Sequence, residues 1–490
     1  MELKKIVSSM GLVFLSGALL TGCAGDDGAN GANGADAPTL SEVTAAVTKL
    51  ADARKVLETN ADIALAAYSD SVDTAIALKT AIATFEGDRT QANFNAAKEA
   101  WLVAREPYGQ TEVYRFRNSP IDSTDYEHED GPEGAINAWP LGEALIDYVT
   151  TGDDFGNDQI GVTAHSVGSP VPSEITTASA IADGAGTYTD TIIGSAIDIN
   201  AALVANTMTA DDEHDVIAGY HAIEFMLWGQ DLNTNEIDAG PDGRDATAGH
   251  RPLTDFTAEL NKNRRFAYME EVVDKLIADL KDVRDAWKKG AEYRVAFTSP
   301  ATQAEADSKI EEILKGMGTL SEGELAGERM QIALVNNSQE DEHSCFSDNT
   351  HRDIWLNAEG VSNSWYGSYE GYDSTLDGVD DNKDSAVSGY GLNQYVKAYG
   401  NATNANDLEN MLASTKIGYE AIDDLARAGT PFDLQIKSPT ASDADKVRGT
   451  ISALSDQSAA IQAIATDLGL GGVVDPDASG CDTTDPTSDC

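Results

Sequence analysis

Apolar residues recur at helical spacing along most of this chain. Leu40 to Phe85 repeats Ala, Leu, Val and Ile at three- and four-residue steps without Gly or Pro, which predicts one or two long helices. Ala92 to Phe116 continues the pattern, and Pro107 should start a new segment or kink it. Asn118 to about Pro172 is loop-rich, interrupted by one compact helix, Pro140 to Val149. Helical periodicity returns at Ser173 to Met208, with a break near Gly184. Thr209 to Asp215 then offers an N-cap and acids to a helix ending at Trp228. Further helices are predicted over Thr254 to Gly290, Ser321 to Asn336, Leu392 to Ala428 and Ser442 to Leu468, and Asn337 to Tyr390 reads as a long irregular stretch. Strand-like alternation is scarce. The fold class is all-α with long irregular loops.

One helix stands out. In "GYHAIEFMLWGQD", Gly219 to Asp231, His221 and Glu224 lie three residues apart, on one face of an otherwise apolar helix. A helix apolar all round is buried, and a buried carboxylate is costly unless paired or bound to a cation. No Lys or Arg occurs between Asn118 and Gly243. Glu224 therefore needs a distant base, a shared proton or a metal ion. His and Glu donors suit zinc, iron or manganese; a buried hydrogen-bonded pair is the alternative. Neither zinc-hydrolase helix pattern, H-E-x-x-H or H-x-x-E-H, is present: there is no second histidine four residues on, and Phe225 follows Glu224.

Further candidates surround this pair. Trp101, Arg105, Tyr108, Glu112 and Arg115 form a polar-aromatic stripe, on which Glu112 is a candidate third ligand or an ion-pair partner of Arg115. Glu133, Trp139, Glu143 and Asp147 lie in "GPEGAINAWPLGEALIDY". "SQEDEHSCFSDNTHRD", Ser338 to Asp353, concentrates acids with His343, Asp348 and His351, and lines the site or serves as a structural loop. Asp380 to Asp384 has the first ligand spacing of a calcium loop but lacks its Gly and its final Glu.

Charge and termini narrow the setting. The 490 residues hold 33 Lys and Arg against 83 Asp and Glu, a net charge of −50, which excludes nucleic-acid binding and fits salty surroundings. Lys4 and Lys5 precede a short apolar run ending in "LTGC", so residues 1–22 read as a lipoprotein signal peptide and Cys23 as the lipidated residue. Residues 23–37 form a flexible tether. Cys481 and Cys490 are placed to form a disulfide in a disordered acidic tail, residues 471–490, leaving Cys345 as a buried cysteine or a ligand.

Five segments in order resemble the imelysin family, also called insulin-cleaving membrane peptidases: "REPYGQTEVYRF", "GPEGAINAWPLGEALIDYV", "GYHAIEFMLWGQD", "GELAGERM" and "SQEDEHSCFSDNTHRDI". The resemblance implies a body over residues 38–470, in two helical-bundle lobes related by distant duplication, about 38–240 and 250–470. It implies a G-x-H-x-x-E motif, matched by Gly219, His221 and Glu224. It also implies an exported, lipid-anchored protein that serves iron acquisition with iron-uptake components as partners; Ala24 after Cys23, by its resemblance to lipoprotein sorting signals, points to the outer membrane. Three readings follow: an iron- or zinc-binding lipoprotein, a zinc peptidase with Glu224 or another carboxylate activating a metal-bound water, or a haem-binding module with His221 or His343 axial.

Overall fold

The computed structural model describes residues 39–125, 131–149, 191–205, 216–231, 243–249, 251–339, 341–438, 442–474, 480–488 and 490. The signal peptide, Cys23, the tether and most of Ser173 to Asp215 lie outside them. The chain divides into Met1–Ala45 and Ala46–Cys490. In the first, Thr39 and Glu42 form a capping box: Glu42 N donates to Thr39 Oγ1 at 3.3 Å, and Thr39 N donates to the Glu42 carboxylate at 2.6 Å.

The protein is all-α, with one two-stranded antiparallel sheet among the described residues, Ser368–Tyr369 (β1) against Val387–Ser388 (β2). The first expected helical stretch is one 48-residue helix, α1, Leu40–Gly87. The second, α2, spans Gln91–Gly109 and is capped by Thr90. It runs through Pro107 and ends two residues later, so Pro107 falls in the last turn rather than starting a segment. The helix of the His–Glu motif is α3, Tyr220–Trp228, and every one of its residues is buried. It packs against α2 and against α4, Lys262–Ala286.

Three expectations need correction. Thr254 to Gly290 is not one helix: a single turn, Thr254–Thr257, precedes α4. The compact helix at Pro140 to Val149 shrinks to one turn, Glu143–Ile146. The stretch Asn337 to Tyr390 contains a 17-residue helix, α7, Thr350–Tyr366. Its inward face carries Arg352, Asp353, Asn357, Asn363 and Ser364, so an apolar stripe could not announce it.

Before α7, helix α5, Gln303–Thr319, continues into a π-helical segment, Leu320–Gln331, and then α6, Ile332–Asn336. The widened turns carry Glu324 and Arg329. Helices α8, Ala402–Arg427, and α9, Asp445–Leu468, pack on each other, and α7 lies against α2, α8 and the π-helical segment. Gly360 of α7 lets it approach α2: a Cβ there would lie 2.5 Å from the Gln110 carbonyl oxygen. Cys481 and Cys490 are disulfide-bonded, and the two N–H groups of the Gln331 amide face the carbonyls of Asp482, Asp485 and Ser488 at 3.2–3.3 Å.

Candidate functional site

Gly219 sets the entry to α3. Its φ is +91°, and a Cβ would lie 2.5 Å from the Ile136 carbonyl oxygen. The first motif residue is therefore Gly for both backbone and steric reasons. Two residues on, His221 Nδ1 and Glu224 Oε2 are 2.7 Å apart, and both side chains are fully buried. The other Glu224 oxygen accepts from Ser347 N at 3.0 Å and Ser347 Oγ at 2.7 Å. Glu224 thus has partners at both oxygens, and among the described residues His221 Nε2 has none. Burial raises the Glu224 pKa well above the carboxylate range, against the Ser347 hydrogen bonds. Burial, then the neighbouring His343, holds His221 well below the usual imidazole value.

The His343 ring sits perpendicular to His221, centroids 4.6 Å apart, with the Trp139 ring edge-on to His221 at 4.9 Å. At Nδ1, His343 repeats the arrangement of His221. Its Nδ1 faces Asp353 Oδ2 at 3.0 Å, and its Nε2 lies 3.3 Å from Asn137 Nδ2. An amide N–H can only donate, so Nε2 accepts and the Nδ1 proton goes to Asp353. Burial, helped by Arg329, pushes the His343 pKa down to about 4, which keeps the ring neutral. Asp353 also accepts from Ser344 Oγ and from Arg105, whose Nη2 is 2.9 Å away. Arg105 also bonds Asn137 and lies over the Tyr220 ring, 5.0 Å from its centroid. The Tyr108 ring lies tilted against Tyr220, with centroids 4.9 Å apart.

Beyond Asn137 lies a second buried charge cluster. Asn137 Nδ2 donates to Glu112 Oε1 at 3.2 Å. Glu112 Oε2 pairs with Arg115 at 2.9 Å and Arg329 at 3.3 Å. The two arginines also hold Glu324, at 3.2 and 2.9 Å, and Arg115 reaches Glu133 at 3.4 Å. Against the cost of burial, Arg115 and Arg329 pull Glu324 down to about 2. Glu133 is left over, raised to about 7 by burial and by Glu112 and Glu324.

The structure brings together Arg105, Tyr108, Glu112, Arg115, Trp139, His221, Glu224 and His343. It does not deliver Glu112 as a third ligand, because Asn137 and two arginines occupy its oxygens. Among the described residues, no three of His, Cys, Asp and Glu gather where they could hold a metal ion. His351 turns to the Asp348 carbonyl at 2.9 Å and to Asp423 at 3.6 Å. Asp147 is taken by Arg251 and Arg265, each at 2.8 Å. Cys345 is buried and outside the disulfide. Sequence reasoning passed over Asn137, Glu324, Arg329, Ser344 and Ser347, and Asp353 was legible only as one more acid of its span. All six lie inside the five segments quoted above, so being next to a motif was the available signal.

Fold and site define an all-helical protein with two buried carboxylate-oriented histidines. The sequence profile of the Imelysin family (peptidase M75) matches residues 64–461, and the chain belongs to that family. Iron-regulated protein A of Synechococcus elongatus is 39% identical over 64 residues, which cover 13% of this chain and 16% of that protein. A crystal structure described as an iron-regulated protein A precursor from Parabacteroides distasonis superposes with a TM-score of 0.54. It is 18% identical, and the match covers 85% of this chain and 95% of that one, a likeness of fold.

Proposed function

We propose that this is an exported, lipid-anchored protein of iron acquisition, in which His221 holds iron through Nε2 and His343 joins it through Nε2 by giving up its hydrogen bond from Asn137. The iron link is suggested by the names of its relatives. The observation that carries the site is the buried Nε2 of His221, unpartnered among the described residues, beside a second imidazole. A metal-binding histidine characteristically gives its other ring N–H to a carboxylate, which fixes the tautomer and ring orientation. Glu224 does this for His221, and Asp353 does it for His343. Glu224 thus moves from the ligand role expected of it to an orienting one. Two imidazoles leave coordination positions for water or for a chelator bound to the iron, and bound iron would supply Lewis acidity there.

A peptidase would need a carboxylate able to take a proton from water, and both Glu224 oxygens are engaged. The deciding experiment is iron binding to the purified chain, its His221→Ala and His343→Ala variants, and a control variant remote from the site. Wild type and control should bind stoichiometrically, and each histidine variant should lose binding. Equal binding by all four would end the proposal. Chelator-sensitive peptide cleavage would favour the peptidase reading, and a Soret band on haem addition the haem reading. Anchoring has its own test: Cys23→Ser should move the protein from the membrane fraction to the soluble one.

A further inference from the structure

Two guanidinium groups serve three carboxylates beside the histidine site. Arg115 Nη1 reaches Glu112 Oε2 at 2.9 Å, Glu324 Oε1 at 3.2 Å and Glu133 Oε1 at 3.4 Å. Arg329 Nη2 reaches Glu112 Oε2 at 3.3 Å and Glu324 Oε1 at 2.9 Å. Three acids against two bases leave one acid in surplus. Glu112 and Glu324 each touch both arginines, whereas among the described residues Glu133 touches Arg115 alone, at the longest of these distances. Acids crowded together cannot all stay ionised, so the surplus one keeps a proton. Burial favours that proton on Glu133, Arg115 opposes it, and Glu112, Glu324 and Asp122 favour it. Tyr108 of α2 faces Glu112 and Glu133 as well. Helix α4 packs on the one-turn helix Glu133–Ile136, and among the described residues no ion pair joins α4 to Glu133. The Glu133 side chain is 21% exposed, so its proton can exchange with water.

The cluster meets the histidine site at one side chain. Asn137 ends the same one-turn helix, its N–H donating to the Glu133 carbonyl at 2.9 Å. Asn137 Nδ2 lies 3.2 Å from Glu112 Oε1 and 3.3 Å from His343 Nε2. Imidazole ligands bring no negative charge to a metal ion. Asp353 is already matched by Arg105 at 2.9 Å. A cation held by His221 and His343 therefore needs a further negative charge close by.

We infer that Glu133 is the counter-charge of the histidine site, so that a cation bound there expels the proton of the Glu133 carboxyl and metal uptake is coupled to proton release. The inference rests on the iron reading above. One proton leaves the carboxyl for water, and no electron moves. An ionised Glu133 attracts the cation and a protonated one does not, so affinity rises with pH as Glu133 loses its proton.

The test is anaerobic titration of the full chain with iron(II) sulfate at pH 5 and pH 8, for wild type and for Glu133→Gln, which mimics the protonated acid. The ratio of wild-type to variant affinity should grow between the two pH values by about 5–150-fold, the usual range of coupling between two sites. A ratio that ignores pH overturns the inference and leaves the iron reading standing, whereas no binding by wild type ends both. Calorimetry of wild type at pH 6, in buffers of different ionisation enthalpy, should show protons released with iron(II); no release overturns the coupling without any variant. In metal-free protein at pH 6, the infrared difference between wild type and Glu133→Gln should contain a protonated-carboxyl band. Its absence means that Glu133 is ionised before metal arrives, and overturns the inference too.

Discussion

Glu224 shows how a single side chain can be read one way in sequence and another in space. Its burial was legible, because the helix around it is apolar on every side. Its partners were not: Ser347 lies 123 positions away in the chain. In Glu224→Gln, the charge that steadies the His221 Nδ1 proton is gone but the side chain still fills its place. Iron affinity should fall roughly 10–100-fold, the usual cost when a ligating histidine loses its orienting partner, with the unfolding midpoint little changed. Glu224→Ala should in addition destabilise the fold by about 1–3 kcal/mol in denaturant titration, because Ser347 is left unsatisfied.

Glu133 is the residue-scale pH probe. Its native pKa of about 7 lies above the ordinary 4.5 of the unfolded chain. Below pH 4.5 both states are protonated there, so stability falls as pH rises from 4.5 through 7. Glu133→Gln removes that loss. Its melting temperature relative to wild type should therefore increase between pH 5 and pH 8, and a difference flat across that range would contradict the assignment.

Among the elements, the apolar period alone locates α1 and α9 closely, and it places α2, α4 and α8 inside longer expected stretches. It fails at α7. A helix that buries Arg352, Asp353 and Asn357 against other polar groups has an inward face resembling a solvated one. The π-helical segment is equally silent, since its residues remain helical in pattern while their register shifts. α3 depends on the glycine that precedes it. Gly219→Ala combines positive φ with a contact to the Ile136 carbonyl, so a loss of about 1–3 kcal/mol is expected. Because α3 carries His221, iron binding should weaken in the same variant. A stable variant with full binding would show that α3 tolerates the shift.

For the whole molecule, the net charge of −50 is the dominant long-range term. Screening length falls from about 30 Å at 0.01 M salt to about 3 Å at 1 M. The melting temperature should therefore climb with sodium chloride over that range, and a flat profile would mean that surface repulsion is already compensated. Among the described residues no helix is long and apolar enough to cross a membrane.

The amino-acid order alone determined the all-α class, the burial of His221 and Glu224 and the Cys481–Cys490 pairing. These rest on local spacing, composition and chain proximity. Only the tertiary structure decided which acids meet which bases. Glu112 and Asp147 both went to arginines, and Asp353, on a helix the periodicity hid, became the partner of His343. The reason is physical: an apolar period records which face is buried, whereas an ion pair is chosen by folded geometry between residues as much as 248 positions apart, as for Arg105 and Asp353.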